Sequence, residues 1–495
     1  METAMATKWK AIILATSTVL VAGCMHISPA PNRRDNYSFT TEEKRLRQEW
    51  MQGGSPELSL VMSGGGIRSS LYNFGVLKAL YDDGILEQTD LISSVSGGSY
   101  LSYWIYSEQA KHPSSKFASS IYDNSVFGKS LCEFSAKANF VTWQSMLLRG
   151  MAGRSLYESR MAGVFGEADN PQAKFPDLRP LVASGAAPYL IMNSTIYGRR
   201  YNNLPWTDRY FEMTPLHHGS IDEPRAWSDG EKLYSRLIYG ALASGAAISP
   251  LKRWFPRPND ADTPDGGVYL WDGGKTENLG AVSALLRGSK RLIIIDAQFD
   301  SPHEPYGAYY TLQRRMANLG VSVMLDRDPE LQKYGVYPGY ARGPGLDTRI
   351  AYVKMEKPSL VTDFINKASE SEREVAKDAF DRFDKARGSF KGGRWQCAKF
   401  LVDDKDYFEQ LMRFNLGAYI EWADGNTIYS RAIRKDYPLI GGVSTHAFPR
   451  TTTIDQSFYV NQALAYIALG YLTAKKGIPR ALKAEPFLQL DSSSH

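Results

Sequence analysis

The stretch Leu58-Ser-Leu-Val-Met-Ser63-Gly64-Gly65-Gly66-Ile67-Arg68-Ser69 constrains the fold of this chain more than any other. A short apolar strand runs straight into three glycines. A helical pattern follows, with Leu71, Phe74, Leu77 and Leu80 on its apolar face and Gly84 as its stop. Lacking Cβ atoms, glycines let consecutive main-chain N–H groups face one point, and a helix N-terminus adds partial positive charge there. Such a loop suits a developing oxyanion. A nucleotide cradle is the competing use, but neither Gly-x-Gly-x-x-Gly nor Gly-Lys-Ser/Thr at P-loop spacing is present, which disfavours it.

Two further motifs follow. Asp90-Leu-Ile-Ser-Ser94-Val95-Ser96-Gly97-Gly98-Ser99 reads as a strand, a sharp turn and a helix from about Ser99 through Tyr106. That is the setting of a nucleophile elbow, in which the turn exposes a serine oxygen and small neighbours avoid a clash. The usual pattern is Gly-x-Ser-x-Gly, and Ser94 replaces its first glycine. Val268-Tyr-Leu-Trp271-Asp272-Gly273-Gly274 places a carboxylate at a strand end before a tight turn; by itself, Asp-Gly reads as a hairpin.

Taken together and in this order, the three motifs resemble those of the patatin-like phospholipases, most closely the cytosolic phospholipase A2 catalytic domain. Ala243-Ser244-Gly245-Ala246-Ala247-Ile248-Ser249-Pro250 and the strand Leu292-Ile-Ile-Ile295-Asp296 support the likeness, which covers about residues 58–300. The resemblance implies an α/β fold, a three-layer α/β/α sheet, with a mostly helical C-terminal region. It also implies a Ser–Asp dyad. Ser96 would attack an ester carbonyl, Asp272 would take its proton, and Gly64, Gly65 and Gly66 would supply oxyanion N–H groups. Arg68 would contact a substrate phosphate or support the loop. The implied substrate is a phospholipid or other glycerolipid, with no cofactor and no metal. An acyltransferase using the same dyad, or a catalytically silent lipid-binding lipoprotein, are the alternatives.

A hydrophobic content of 43% with 22% charged residues excludes a disordered or fibrous chain. The net charge of +5, with no dense Lys/Arg block, gives no nucleic-acid signature. Residues 1–23 read as a secretory leader: Lys8 and Lys10 precede a stretch from Ala11 to Gly23 that is too short to span a bilayer. Its end, Leu20-Val-Ala-Gly-Cys24, resembles a bacterial lipobox. The resemblance implies cleavage before Cys24, lipidation of its thiol and attachment to a membrane. With Met25 rather than Asp following, the analogy with enteric bacteria points to the outer membrane. No protein partner is legible. Cys132 and Cys397 would remain, either bridged or as buried thiols.

The expected organisation is a leader (1–23), a tether and leading helix (24–57), a catalytic core (58–300) and a mostly helical C-terminal region (301–495) packed on the core. Helices are expected near Thr41 to Met51, from Ser371 to Gly388 with a Ser371/Glu374 capping box, and over Phe458 to Leu472, ending before Lys475, Lys476 and Gly477. The adjacent His217 and His218 read as a polar surface loop. The segments Leu251 to Arg257 and Phe140 to Arg149 mix bulky apolar residues with cations and could meet a membrane or form a lid, although core packing is the readier account for both.

Overall fold

The computed structural model describes residues 41–50, 54–137, 139–141, 173–197, 205–221, 223–228, 231, 233–246, 253–256, 267–298, 306–326, 329–356, 359, 363, 366–386, 390–391, 394–395, 408–414, 416–417, 456–457 and 460–483. The leader, Cys24 and Cys397 lie outside these residues.

In chain order the principal elements begin with α1 (Thr41–Trp50), β1 (Leu58–Met62), α2 (Gly66–Asp82), β2 (Leu91–Val95), α3 (Gly97–Lys111) and α4 (Asn124–Lys137). Next come β3 (Tyr189–Tyr197), β4 (Tyr210–Met213), β5 (His217–Ser220), β6 (Glu223–Ala226), α5 (Leu237–Ser244), β7 (Arg253–Pro256), β8 (Gly267–Asp272), α6 (Ala281–Leu286) and β9 (Arg291–Asp296). The remainder is α7 (Gly307–Ala317), β10 (Ser322–Leu325), β11 (Val336–Gly343), β12 (Leu346–Lys354), α8 (Glu370–Ala386) and α9 (Val460–Lys483).

All twelve strands join one sheet in the order β10-β11-β12-β9-β1-β2-β3-β4-β5-β6, with β8 pairing β3 and β7 pairing β8. The centre, β12-β9-β1-β2-β3, is parallel, and the flanks are antiparallel. Parallel strands are covered on both faces, which is why β9 reads Arg-Leu-Ile-Ile-Ile-Asp without alternation. Leu60, Met62, Ile293 and Ile295 point to one core, with residues from α2, α3, α5 and α9. Val61, Leu292 and Ile294 point to the other, with α6, α7 and Leu46 of α1. The result is the three-layer α/β/α arrangement.

The boundary expected at residue 300 falls inside the sheet. Leu346–Lys354 pairs in parallel with Arg291–Asp296, so β10, β11 and β12 belong to the core, and helices predominate among the described residues only after them. The capping box of α8 also shifts by two residues. Ser369 and Glu372 make it: the Ser369 N–H donates to Glu372 Oε2 at 2.7 Å and the Glu372 N–H to Ser369 Oγ at 3.3 Å. The last helix runs to Lys483 instead of stopping before Gly477. Gly477 serves close packing there, since a Cβ on it would stand 2.3 Å from the Val336 side chain. No described helix is long and apolar enough to cross a membrane. Cys132, buried on α4, is disulfide-bonded.

Two groups of contacts anchor peripheral helices to the sheet. Glu43 of α1 is fully buried and meets Arg287 Nε at 2.6 Å and the His217 ring, while Arg287 Nη2 lies 2.8 Å from Glu212. Despite the cost of burial, the Arg287 and His217 charges hold the Glu43 carboxyl well below the usual range. On the opposite face α9 crosses α2 backbone to backbone. A Cβ on Gly75 would stand 1.9 Å from the Ile467 carbonyl oxygen, and one on Gly470 would stand 2.2 Å from that of Tyr72. Gly75→Ala is therefore expected to cost about 3 kcal/mol or more by overpacking. Gly84→Ala, at φ 67° with open space around it, should cost only about 1–2 kcal/mol. Urea unfolding of the two variants checks the order, and equal costs would refute the close helix crossing.

Candidate active site

The site forms where three strands end. β1 delivers the glycine loop, β2 delivers Ser96, and β8 delivers Asp272. Strand β3 sets the geometry. Its first half pairs in parallel with β2 up to Val95 opposite Asn193, and its second half pairs antiparallel with β8 starting at Asp272 opposite Ser194. The C-terminal ends of β2 and β8 thus meet head-on along one edge of β3.

Ser96 sits in the turn between β2 and α3 at φ 49°, ψ −115°. A non-glycine residue held there costs on the order of 1–3 kcal/mol, and such strain persists only where the surroundings enforce it. The turn is crowded: a Cβ on Gly97 would come within 2.0 Å of the Gly66 carbonyl oxygen, so only glycine fits after the serine. Asp272 is largely buried beside the Ser96 side chain. Asp272 Oδ1 also accepts the Gly274 N–H at 2.7 Å, which caps the short turn Gly273–Lys275 in place of the hairpin the dipeptide suggests. Burial pushes the Asp272 carboxyl up to about 6, against the opposing pull of the Gly274 N–H, the Ser96 hydroxyl and the nearby Lys275.

The glycine loop lies directly over Ser96, since a Cβ on Gly64 would come within 3.2 Å of the Ser96 Cβ. Gly65 (φ 143°) and Gly66 (φ 61°) hold backbone conformations that favour glycine. The three glycines are not equivalent. The Gly64 N–H is donated to the Asn278 carbonyl at 2.9 Å, which removes it from the expected set of oxyanion donors. Among the described residues the N–H groups of Gly65 and Gly66 have no acceptor, and they stand at the N-terminus of α2. Arg68 is fully buried, and its Nη2 donates to the Ala297 carbonyl at 3.0 Å.

Neither His217 nor His218 is in a surface loop. Both are about 2% exposed on β5, on opposite faces of the sheet. His217 meets Glu43, whereas His218 Nε2 lies 3.1 Å from Glu231 amid Phe211, Trp227 and Phe255, with its ionisation suppressed by burial. Neither is bonded to Ser96 or Asp272. The buried partners Glu43 and Glu231, rather than the adjacent Pro215 and Gly219, accompany the pair inside the protein. Phe255 and Arg253 of the Leu251–Arg257 segment pack into the interior, and Trp143 to Arg149 lie outside the described residues. No group of three or more His, Cys, Asp or Glu suited to a metal occurs among the described residues.

Three residues of the site were given no role by the motif reading. Asn278 joins the glycine loop to the Asp272 turn, and its Nδ2 donates to Gln298 Oε1 at 2.7 Å. Ser244 Oγ accepts the Ser96 N–H at 2.8 Å. Asn193 Nδ2 donates to the Ser94 carbonyl at 3.0 Å. The one available signal was the polar run Asn193-Ser194-Thr195 within an otherwise apolar strand.

A family model for the patatin-like phospholipases matches residues 60–285, a span that holds the glycine loop, the serine elbow and the Asp272 turn. Residues 60–285 are a patatin-like phospholipase domain. Among solved structures, human GIVD cytosolic phospholipase A2 superposes with a TM-score of 0.52 at 12% identity, over 90% of this chain and 67% of that one. Its complex with methyl gamma-linolenyl fluorophosphonate gives 0.50 at 11% identity, over 90% and 64%. At such identities the likeness establishes a shared fold. The patatin-like chain spans about two thirds of the human enzyme's length. A comparison with curated protein sequences gives no match.

The raised Asp272 carboxyl has a stability consequence. The folded state binds its proton more tightly than the unfolded chain does, so this group's contribution is fully present below about pH 4 and is lost as pH rises through about 6. The loss amounts to about 3 kcal/mol. Asp272→Asn removes that penalty. The variant should be more stable than the parent at pH 8, with the gap closing by pH 4; thermal unfolding across this range checks it, and a pH-independent gap would contradict the assignment.

Proposed function

We propose that this chain is a serine-dependent acyl hydrolase that cleaves a carboxylic ester of a phospholipid or related glycerolipid. The observation that carries the reading is the placement of Ser96, held in a strained elbow, beside the buried Asp272 where two strands end head-on, beneath a loop whose Gly65 and Gly66 N–H groups have no acceptor among the described residues. In this reading Asp272, ionised above about pH 6, takes the Ser96 proton as the Ser96 oxygen attacks the ester carbonyl. The N–H groups of Gly65 and Gly66 stabilise the resulting oxyanion. Collapse expels the alcohol, a lysolipid, which leaves with the proton from Asp272. Water then attacks the acyl-serine ester, giving up a proton to Asp272, and the fatty acid departs as Ser96 is restored.

Attachment to a membrane through a lipidated Cys24 is a second part of the proposal, supported by the leader sequence alone. Acyl chains on that residue would hold the hydrolase at the surface that contains its substrate.

Labelling with a long-chain alkyl fluorophosphonate, with the modified peptide mapped by mass spectrometry, tests the dyad. The adduct should fall on Ser96. Ser96→Ala should abolish labelling and lower ester turnover by about 10⁴-fold or more, and Asp272→Asn should lower it by about 10³-fold. For the parent, kcat/KM should rise about tenfold per pH unit below about 6 and level off above it. A folded parent that takes no label and turns over no ester would instead favour a lipid-binding protein.

A further inference from the structure

The Ser96 turn is strained, and its main-chain N–H points away from the glycine loop into a small cluster of buried hydroxyls. Ser244, the last residue of α5, is fully buried and accepts that N–H at 2.8 Å. The same Oγ donates to the Asn193 carbonyl at 2.6 Å and lies 2.9 Å from Ser99 Oγ, which is positioned to donate to it. A serine hydroxyl has one proton to give and two lone pairs to fill. Ser244 uses all three. Behind it, Ser99 Oγ also lies 3.1 Å from Ser94 Oγ, so the single Ser99 proton is shared between Ser244 and Ser94, while Ser94 donates to the Ile191 carbonyl at 3.3 Å.

Ser94 stands where the usual elbow has glycine. A glycine there would leave Ser99 without a hydroxyl neighbour on that side, so the departure from the pattern supplies an added group to the cluster. Asn193 closes the arrangement. Its side chain donates to Ser93 Oγ at 2.8 Å and to the Ser94 carbonyl at 3.0 Å. Its own carbonyl, held by Ser244, is the atom on which Gly273 packs, since a Cβ at Gly273 would stand 2.5 Å from it. One carbonyl therefore registers both the serine turn and the turn that follows Asp272.

We infer that Ser244 is a positioning residue that fixes the Ser96 elbow for attack, and that Ser99 and Ser94 brace it. The inference rests on the reading of Ser96 as nucleophile. It concerns the main chain of the turn and is distinct from the proton transfer to Asp272. Without the Ser244 hydroxyl the buried Ser96 N–H loses its acceptor, and the turn is free to relax toward an ordinary backbone conformation, carrying the Ser96 oxygen off line.

The test compares Ser244→Ala, Ser99→Ala, Ser94→Gly and the Ser244→Ala/Ser99→Ala double variant with the parent. The readouts are the rate of Ser96 phosphonylation by an alkyl fluorophosphonate, kcat and KM on a soluble ester, thermal unfolding, and hydrogen exchange at the Ser96 amide. Ser244→Ala should slow phosphonylation and lower kcat by 10–100-fold with KM within twofold, and should speed Ser96 amide exchange at least tenfold. Ser99→Ala and Ser94→Gly should each slow phosphonylation by 3–10-fold, and Ser99→Ala should add nothing in the Ser244→Ala background. A folded Ser244→Ala variant with the parent's labelling rate overturns the inference, as does a multiplicative double variant. Should Ser244→Ala fail to fold, the two bracing variants carry the test, and parental rates in both overturn it. Absence of label and turnover in the parent would refute the hydrolase reading; unchanged Ser96 amide exchange in Ser244→Ala would then refute the brace separately.

Discussion

Everything at this site depends on one strand having two different partners along one edge. β3 accepts β2 in parallel register as far as Asn193 and β8 in antiparallel register from Ser194 onward. Two chain segments about 180 residues apart in sequence therefore end nose to nose, with Ser96 past the tip of one and Asp272 at the tip of the other. Main-chain hydrogen bonds set this meeting. A slip of one residue in either register would turn the side chains of that strand to the opposite face of the sheet.

The same region collects groups that ordinarily destabilise a core: a buried carboxylate, a serine at positive φ and a row of buried hydroxyls. Their cost is offset locally by near-complete hydrogen bonding, since buried polar groups are tolerated when their partners are present. Ser283 shows how far the bonding extends. Its single hydroxyl proton is shared between Asn193 Oδ1 at 2.9 Å and Glu212 Oε1 at 2.5 Å, and Glu212 pairs with Arg287. Arg287 holds Glu43 of α1, so the leading helix is fastened to the same interior through paired charges that are expensive to separate.

The parts legible in the sequence were those whose cause is local. Strand, glycine and helix followed one another at the loop and at the elbow, and Gly84 ended α2 with φ 67° as expected of a helix stop. What sequence hid was decided by distant partners. Gly64 looks like its two neighbours until the Asn278 carbonyl takes its N–H. His217 and His218 look polar until Glu43 and Glu231 are seen to receive them inside the protein. Strand β12 lacks a motif, and its membership of the sheet comes from pairing with β9. Gly477 carries the composition of a helix end, yet it lies against Val336 inside a helix that continues past Pro479. Ser94 read as a flaw in a pattern because the Ile191 carbonyl that takes its proton lies 97 residues later.

The crossing of α9 over α2 through Gly75 and Gly470 bears on the order in which this protein is made. The helix that begins at the glycine loop has one wall supplied by a segment about 390 residues further along the chain. A chain still emerging from a ribosome has the serine about 360 residues, and the aspartate about 190 residues, before it has that wall. The packed environment of α2 is complete only once residues 460–483 have emerged, so termination ahead of residue 460 yields a product with an open face in place of α9.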